Sequence, residues 1–179
     1  MSGDKETLGV YDAQASEYAR VTAKSINDPL LAAFLGSVSK GGRVLDLGCG
    51  PGLMSAYMAD QGFVVDATDA SGEMIALVPK RTGLSAWQAT FDEIEGAAIY
   101  DGIWASFSLL HAPRADMPRH LAALRRALKS GGRFHIGLKS GSGEKRDRLG
   151  RLYTYYSEDE LAGLVTAAGF HVTDRATGC

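Results

Sequence analysis

At 179 residues, 45% apolar and 22% charged, the chain has the length of one ordinary domain and the make-up of a soluble globular protein. A formal charge of −2 excludes a global field that would draw it to nucleic acid or an anionic membrane. No apolar run approaches the roughly 18 residues of a membrane helix, the start MSGDKETLGV lacks a secretory signal's regions, and two cysteines, one inside a glycine stretch, point to a reducing cytoplasm.

Residues 11–23, YDAQASEYARVTA, read as a helix that carries Tyr11 and Tyr18 on one face. Asn27-Asp28-Pro29 supplies a cap and a proline for a first turn, and LLAAFLGSV runs on as a second helix until Gly41-Gly42. RVLDLG has the pattern of a buried strand, LMSAYMADQG of a helix, and FVVDATD of a second strand. SGEMIALVPKR gives a short helix, LSAWQATF a third strand and YDGIWASFSLL a fourth. DMPRHLAALRRALKS carries Leu121, Leu124 and Leu128 as a helical stripe, and RFHIGLK is a fifth strand. SEDELAGLVTAAGF opens on a Ser157 to Glu160 capping box, and FHVTDRA starts a sixth strand. Strands alternating with helices give a doubly wound α/β fold on a mostly parallel sheet. Residues 1–179 form a single domain, with residues 1–40 as an N-terminal helical cap. Ligands of such sheets bind beyond the carboxyl ends of the strands, where strand order reverses.

Between the first strand and its helix stands VLDLGCGPG, with glycines at 48, 50 and 52. Glycines there allow a tight turn or the close approach of a ligand. A dinucleotide fingerprint is G-x-G-x-x-G. Here its third glycine is replaced by Leu53, which weakens an NAD(P)-dependent oxidoreductase without abolishing it. A turn that only packs strand on helix is a further alternative. Asp69 closes the second strand 21 residues after Gly48, where an acid can accept both ribose hydroxyls of an adenosine. Its alternative role is to cap the helix that starts at Ser71-Gly72-Glu73, and the two can coexist.

VLDLGCGPG, followed by Asp69-Ala70-Ser71-Gly72-Glu73-Met74, resembles the first two motifs of class I S-adenosylmethionine-dependent methyltransferases. The likeness continues through YDGIWAS, Leu109-Leu110-His111 and Leu128-Lys129-Ser130-Gly131-Gly132, so it covers most of the chain. Within the family the chain resembles small bacterial methyltransferases of the tellurite-resistance type. The resemblance implies S-adenosylmethionine as cofactor, S-adenosylhomocysteine as product and a small-molecule acceptor. A non-catalytic cofactor-binding module is the competing reading. It implies that Gly48, Cys49, Gly50 and Gly52 line the methionine and ribose, and that Asp46 orients the ammonium. Asp69 would hold the ribose hydroxyls, Ala70 and Met74 flank the adenine, Thr90 and Phe91 touch it, and the Ser106 carbonyl receive the ammonium. A family member finishes with a sixth strand, a hairpin and a seventh strand. This sequence ends at Thr177-Gly178-Cys179, where that hairpin would start: either the sequence is cut short there, or the sixth strand pairs differently or leaves an open edge.

Methyl transfer is an in-line displacement, which positioning alone can accelerate by up to about 7–11 kcal/mol. A base is needed only when the acceptor carries a proton. His111, just past the fourth strand, is the candidate base, with a structural role at Ala112-Pro113 as its alternative. Tyr11, Tyr18 and Tyr153 are candidates for the substrate side. The segment KSGSGEKRDRLGR, residues 139–151, reads either as an anion clamp or as a solvated loop, and its five basic residues are too small a footprint for RNA. His120, His135 and His171 fall at no metal-ligand spacing, so no metal site is expected. No motif encodes the acceptor's identity or the oligomeric state.

Overall fold

The structure is a computed structural model that describes residues 4–22 and 27–178, with the side chains of residues 18 and 20–22 outside that description. In chain order the elements are α1 (Lys5–Thr22), α2 (Pro29–Ser37), β1 (Arg43–Leu47), α3 (Leu53–Asp60), β2 (Val64–Asp69), α4 (Gly72–Leu77), β3 (Leu84–Gln88) and β4 (Tyr100–Ser106). There follow α5 (Met117–Ala127), β5 (Leu128–Gly137), β6 (Glu144–Arg146), β7 (Leu152–Thr154) and α6 (Glu158–Ala167). Five strands form one parallel sheet in the order β3-β2-β1-β4-β5. The order reverses between β1 and β4, which opens a crevice at their carboxyl ends.

Two apolar layers sandwich the sheet. On one side Leu31, Phe34 and Leu35 of α2 join Val44, Met58, Val65 and Trp104. Asp28 starts α2 by accepting from the N–H groups of Leu30 and Leu31 at 2.8 and 3.3 Å. A Cβ on Gly102 would lie 2.8 Å from the Phe34 ring, so the missing side chain lets α2 approach β4 closely. On the other side Leu121, Leu124 and Ala127 of α5 and Val165 of α6 cover Leu45, Leu47 and Ile103. Within residues 1–40, where a helical cap is expected, α2 is a core helix.

Three differences from the sequence reading have physical causes. The first helix begins at Lys5, since Asp4 caps it by accepting from the Thr7 N–H at 3.0 Å. The basic segment after β5 contains the antiparallel pair β6 and β7. Arg146 donates to Asp4 at 2.7 and 3.0 Å, and Arg151 bonds Asp147 at 2.6 and 2.7 Å. Its arginines therefore fasten the hairpin to α1 and to itself, and Thr7 accepts from the Leu152 N–H at 2.8 Å. The sixth strand expected at FHVTDRA does not form: residues 170–178 are without strand structure. Phe170 packs on Phe134 with ring centroids 4.7 Å apart, and the exposed residues beyond it have no ladder partner. Among the described residues the outer edge of β5 stays open.

The turn from β1 to α3 holds Gly48, Gly50 and Gly52 at φ of 72, 56 and 77°. A Cβ on Gly48 would sit 2.3 Å from Ser108 Cβ, and one on Gly52 would sit 2.7 Å from Val78 Cγ1. Neighbouring side chains, as well as any ligand, forbid larger residues there. Gly48→Ala combines this clash with a left-handed backbone that costs about 1–2 kcal/mol. Urea denaturation is expected to show a loss of about 2–4 kcal/mol, and wild-type stability would contradict this packing.

Candidate functional site

The turn's own N–H groups are all used internally. Gly48 and Cys49 both donate to the Thr68 carbonyl, at 2.8 and 2.9 Å, and Gly52 donates to Cys49 at 3.1 Å. Gly50 donates to Asp69 Oδ2 at 2.9 Å, and Pro51 has no N–H. A phosphate therefore finds no free donor in the turn itself, unlike the nests that cradle pyrophosphates.

Two buried carboxylates flank this turn. Asp69, 5% exposed, accepts from Gly50 at Oδ2 and from the Ser71 N–H at Oδ1, each at 2.9 Å. One acceptor position remains on each oxygen, a pair that matches two adjacent hydroxyls. Burial pushes the Asp69 carboxyl above the usual carboxylate range against these two hydrogen bonds. The capping role falls to Ser71, whose hydroxyl accepts from Met74 N–H at 3.2 Å and donates to Asp12 of α1. Asp46, 4% exposed, accepts from the Ser55 hydroxyl at 2.5 Å. Burial raises it to about 7, Ser55 opposes that rise, and the charge of Asp69 adds to it. Cys49 is pushed well up by burial and by the same two acids, so its thiol stays protonated.

A small cleft of about 40 Å³ opens beside the turn, lined by Tyr11, Gly48, Gly50, Asp69, Met74, Phe107, Ser108 and His111. No lining residue is Lys or Arg, so the local charge favours a cation and opposes a pyrophosphate.

His111 is buried at 3% exposure and fixed at both ring nitrogens. Nδ1 lies 2.6 Å from the Leu152 carbonyl, which can only accept, so Nδ1 carries the proton. Nε2 is then an acceptor, and it takes the Tyr11 hydroxyl hydrogen at 2.8 Å. Burial lowers His111 to about 4, so it is neutral at physiological pH. Arg151 donates to the Tyr11 oxygen at 3.4 Å, and its guanidinium lies over the Tyr11 and Tyr153 rings at 5.5 and 5.4 Å. Helix α1, the turn after β4 and the hairpin thus meet at one hydroxyl.

Of the residues singled out in the sequence, Tyr11, Gly48, Gly50, Asp69, Met74 and His111 come together in the cleft. Asp46 lies behind the turn on β1, and Gly52 packs on Val78. Ala70 and Phe91 belong to the apolar core, Phe91 lying edge-on to His120 at 5.5 Å. Thr90 caps the short 3₁₀ turn that follows it, with Glu93 completing the box. Ser106 ends β4 next to the cleft, and Tyr153 packs behind His111 at 4.8 Å. The side chain of Tyr18 lies outside the described residues. Among the described residues no group of His, Cys, Asp or Glu could hold a metal ion. No helix among them is long and apolar enough to cross a membrane. Phe107, Ser108 and the Leu152 carbonyl were not legible as site residues, because a loop conformation and a tertiary contact bring them there.

Residues 18–175 match a family model described as a methyltransferase domain. The ubiquinone biosynthesis O-methyltransferase of Xylella fastidiosa is 38% identical over 104 residues, which are 54% of this chain and 41% of that protein. Its namesake from Rickettsia prowazekii is 41% identical over 64 residues, 33% of this chain and 25% of that one. The matches therefore span less than half the length of these relatives. A solved structure, the 1,6-didemethyltoxoflavin-N1-methyltransferase of Burkholderia thailandensis with bound 1,6-didemethyltoxoflavin and S-adenosylhomocysteine, superposes with a TM-score of 0.78. It is 25% identical, and the likeness covers 97% of this chain and 82% of that one.

The buried Asp46 makes stability depend on pH. The unfolded chain gives up this proton near the ordinary 3.8, whereas the folded chain keeps it to about 7, so ionisation favours unfolding across that window. Asp46→Asn removes this contribution. Its advantage over wild type in chemical denaturation is expected to widen by about 2–3 kcal/mol between about pH 5 and pH 8. A constant gap would show that Asp46 ionises normally.

Proposed function

The chain belongs to the methyltransferase-domain family, and from that premise we propose that it transfers the methyl group of S-adenosylmethionine to a small organic acceptor and releases S-adenosylhomocysteine. The observation that carries this reading is the pair of buried carboxylates on a turn with no spare N–H. Such a turn suits a cationic donor with a ribose diol, and it offers nothing to the pyrophosphate of NAD(P). In this reading Asp69 holds the ribose hydroxyls and Asp46 faces the ammonium. Gly48, Cys49 and Gly50 run along the methionine and ribose, Met74 and the backbone at Ala70 bound the adenine, and the Ser106 carbonyl takes a second ammonium hydrogen. Helix α1 serves as the cover of a single domain.

When bound, the donor supplies an electrophilic methyl group on sulfur. The protein's own contribution is to hold the acceptor, exclude water and accept a proton. His111 Nε2 is already unprotonated and is aimed at the Tyr11 hydroxyl, so the pair can draw a proton from an acceptor that lies against Tyr11. This pair favours an enzyme over a module that merely binds the donor. An organic acceptor is favoured over the oxyanion of a tellurite-resistance-type enzyme, because Arg146 and Arg151 are engaged with Asp4 and Asp147. The compartment we propose is the cytoplasm, in keeping with a buried, protonated thiol at Cys49.

Calorimetry with S-adenosylmethionine, S-adenosylhomocysteine and NAD tests the reading. Both sulfur compounds are expected to bind and NAD is not. Asp69→Ala should weaken both by about 1.5–3 kcal/mol through the loss of charge-assisted hydrogen bonds. Binding of NAD alone would overturn the proposal, and unchanged affinity in a folded Asp69→Ala variant would remove Asp69 from the site.

A further inference from the structure

Phe107 stands out among the residues of the cleft. It is a bulky side chain in the left-handed region, at φ 53°, and its ring is 57% exposed at the mouth of a site. Such a conformation costs on the order of 1–3 kcal/mol and persists only where its surroundings impose it. Here its N–H donates to the Gly137 carbonyl at 2.9 Å, which ties the loop after β4 to the end of β5. The ring is held out towards the cleft and not folded into the core. Next to it Ser108 is 4% exposed, lines the same cleft, and has a buried hydroxyl without a hydrogen-bond partner. A buried hydroxyl left unpaired costs about 1–3 kcal/mol, which a ligand's polar edge would recover.

We propose that the methyl acceptor is a small aromatic or heteroaromatic compound with an acidic O–H or ring N–H, laid against Phe107, with a polar group on Ser108 and its nucleophile at the Tyr11–His111 pair. This inference rests on the methyl-transfer reading above. Three observations narrow the class. The open face of Phe107, together with the Tyr11 and His111 rings, offers flat apolar surface, and ring pairs contribute about 0.5–1.5 kcal/mol beyond area burial. Arg151, 3.4 Å from the Tyr11 oxygen, opposes an ammonium acceptor there. His111, lowered to about 4, is too weak a base for an aliphatic alcohol, whereas a phenolic proton is ordinarily lost near 10.

In the transfer the acceptor atom forms its bond to the methyl carbon while the carbon–sulfur electron pair stays on sulfur. The acceptor's proton moves to the Tyr11 oxygen as the Tyr11 proton moves to His111 Nε2, and then leaves to solvent. The products are the methylated ring compound, a neutral thioether and one proton.

The test uses the full chain saturated with S-adenosylhomocysteine, whose binding is measured first. A panel of one- and two-ring phenols and N–H heterocycles is compared with their saturated isosteres by ligand-observed NMR. Ring compounds are expected to bind, and to be methylated when S-adenosylmethionine replaces the product. Phe107→Leu keeps an apolar side chain and removes the ring. It should reduce the preference for ring over isostere about three- to tenfold while the variant still binds S-adenosylhomocysteine. Equal binding of rings and isosteres, no binding of either, or an unchanged preference in Phe107→Leu would overturn the inference with the donor site intact. Failure of the wild type to bind S-adenosylhomocysteine would instead remove the methyl-transfer reading beneath it.

Discussion

Two carboxylates buried beside a single glycine turn set the terms for the rest of this molecule. Asp46 and Asp69 lie at 4% and 5% exposure, and the charge of Asp69 adds to the cost of ionising Asp46. A fold tolerates such an arrangement when hydrogen bonds hold the groups and a ligand of opposite charge supplies the missing compensation. The turn meets the first condition by giving the Gly50 and Ser71 N–H groups to Asp69. Its N–H donors at Gly48 and Cys49 go to Thr68, which locks β1 to β2, and that of Gly52 goes to Cys49. Stability is thus given up at these two acids, as the proposed binding of a cationic donor would require.

The facing side of the cleft is assembled from parts remote in sequence. Helix α1 contributes Tyr11, the loop after β4 contributes Phe107, Ser108 and His111, and the β6–β7 hairpin contributes the carbonyl of Leu152 and the charge of Arg151. Each part constrains the others. The Leu152 carbonyl fixes the tautomer of His111, His111 then orients the Tyr11 hydroxyl, and Arg146 with Thr7 holds α1 against the hairpin. Asp12 ties the same helix to Ser71 beside Asp69. Helix α1 is therefore linked both to Ser71 beside Asp69 and to His111.

The sheet, its switch point and the glycine turn with Asp69 beside it were legible in the sequence because they depend on local pattern. Apolar runs between glycines mark β1 and β4, and the distance from Gly48 to Asp69 follows from one strand–helix–strand unit. The glycines were legible as a turn but not as packing positions, since Ser108 and Val78 reach Gly48 and Gly52 from elsewhere in the chain. The β6–β7 hairpin was read as loop because Glu144–Arg146 is wholly polar and exposed, and its order comes from arginines that find acids on α1. FHVTDRA shows the reverse error. Its alternation suits a strand, but a strand exists only with a partner to receive its hydrogen bonds. Phe107 could not be found from composition, because its meaning lies in a positive φ that no residue pattern around it announces.

The account's central claim is that the buried acids compensate a cationic donor, and proton release on binding tests it most directly. Calorimetry of S-adenosylmethionine at about pH 6.5, in two buffers of different ionisation enthalpy, reads the protons exchanged per molecule bound. With Asp46 at about 7 in the free protein, a cation that binds beside it must lower its pKa and expel a substantial fraction of a proton. The account predicts that release, and its loss in Asp46→Asn. Binding with no proton exchange, or with release that persists in Asp46→Asn, would contradict it.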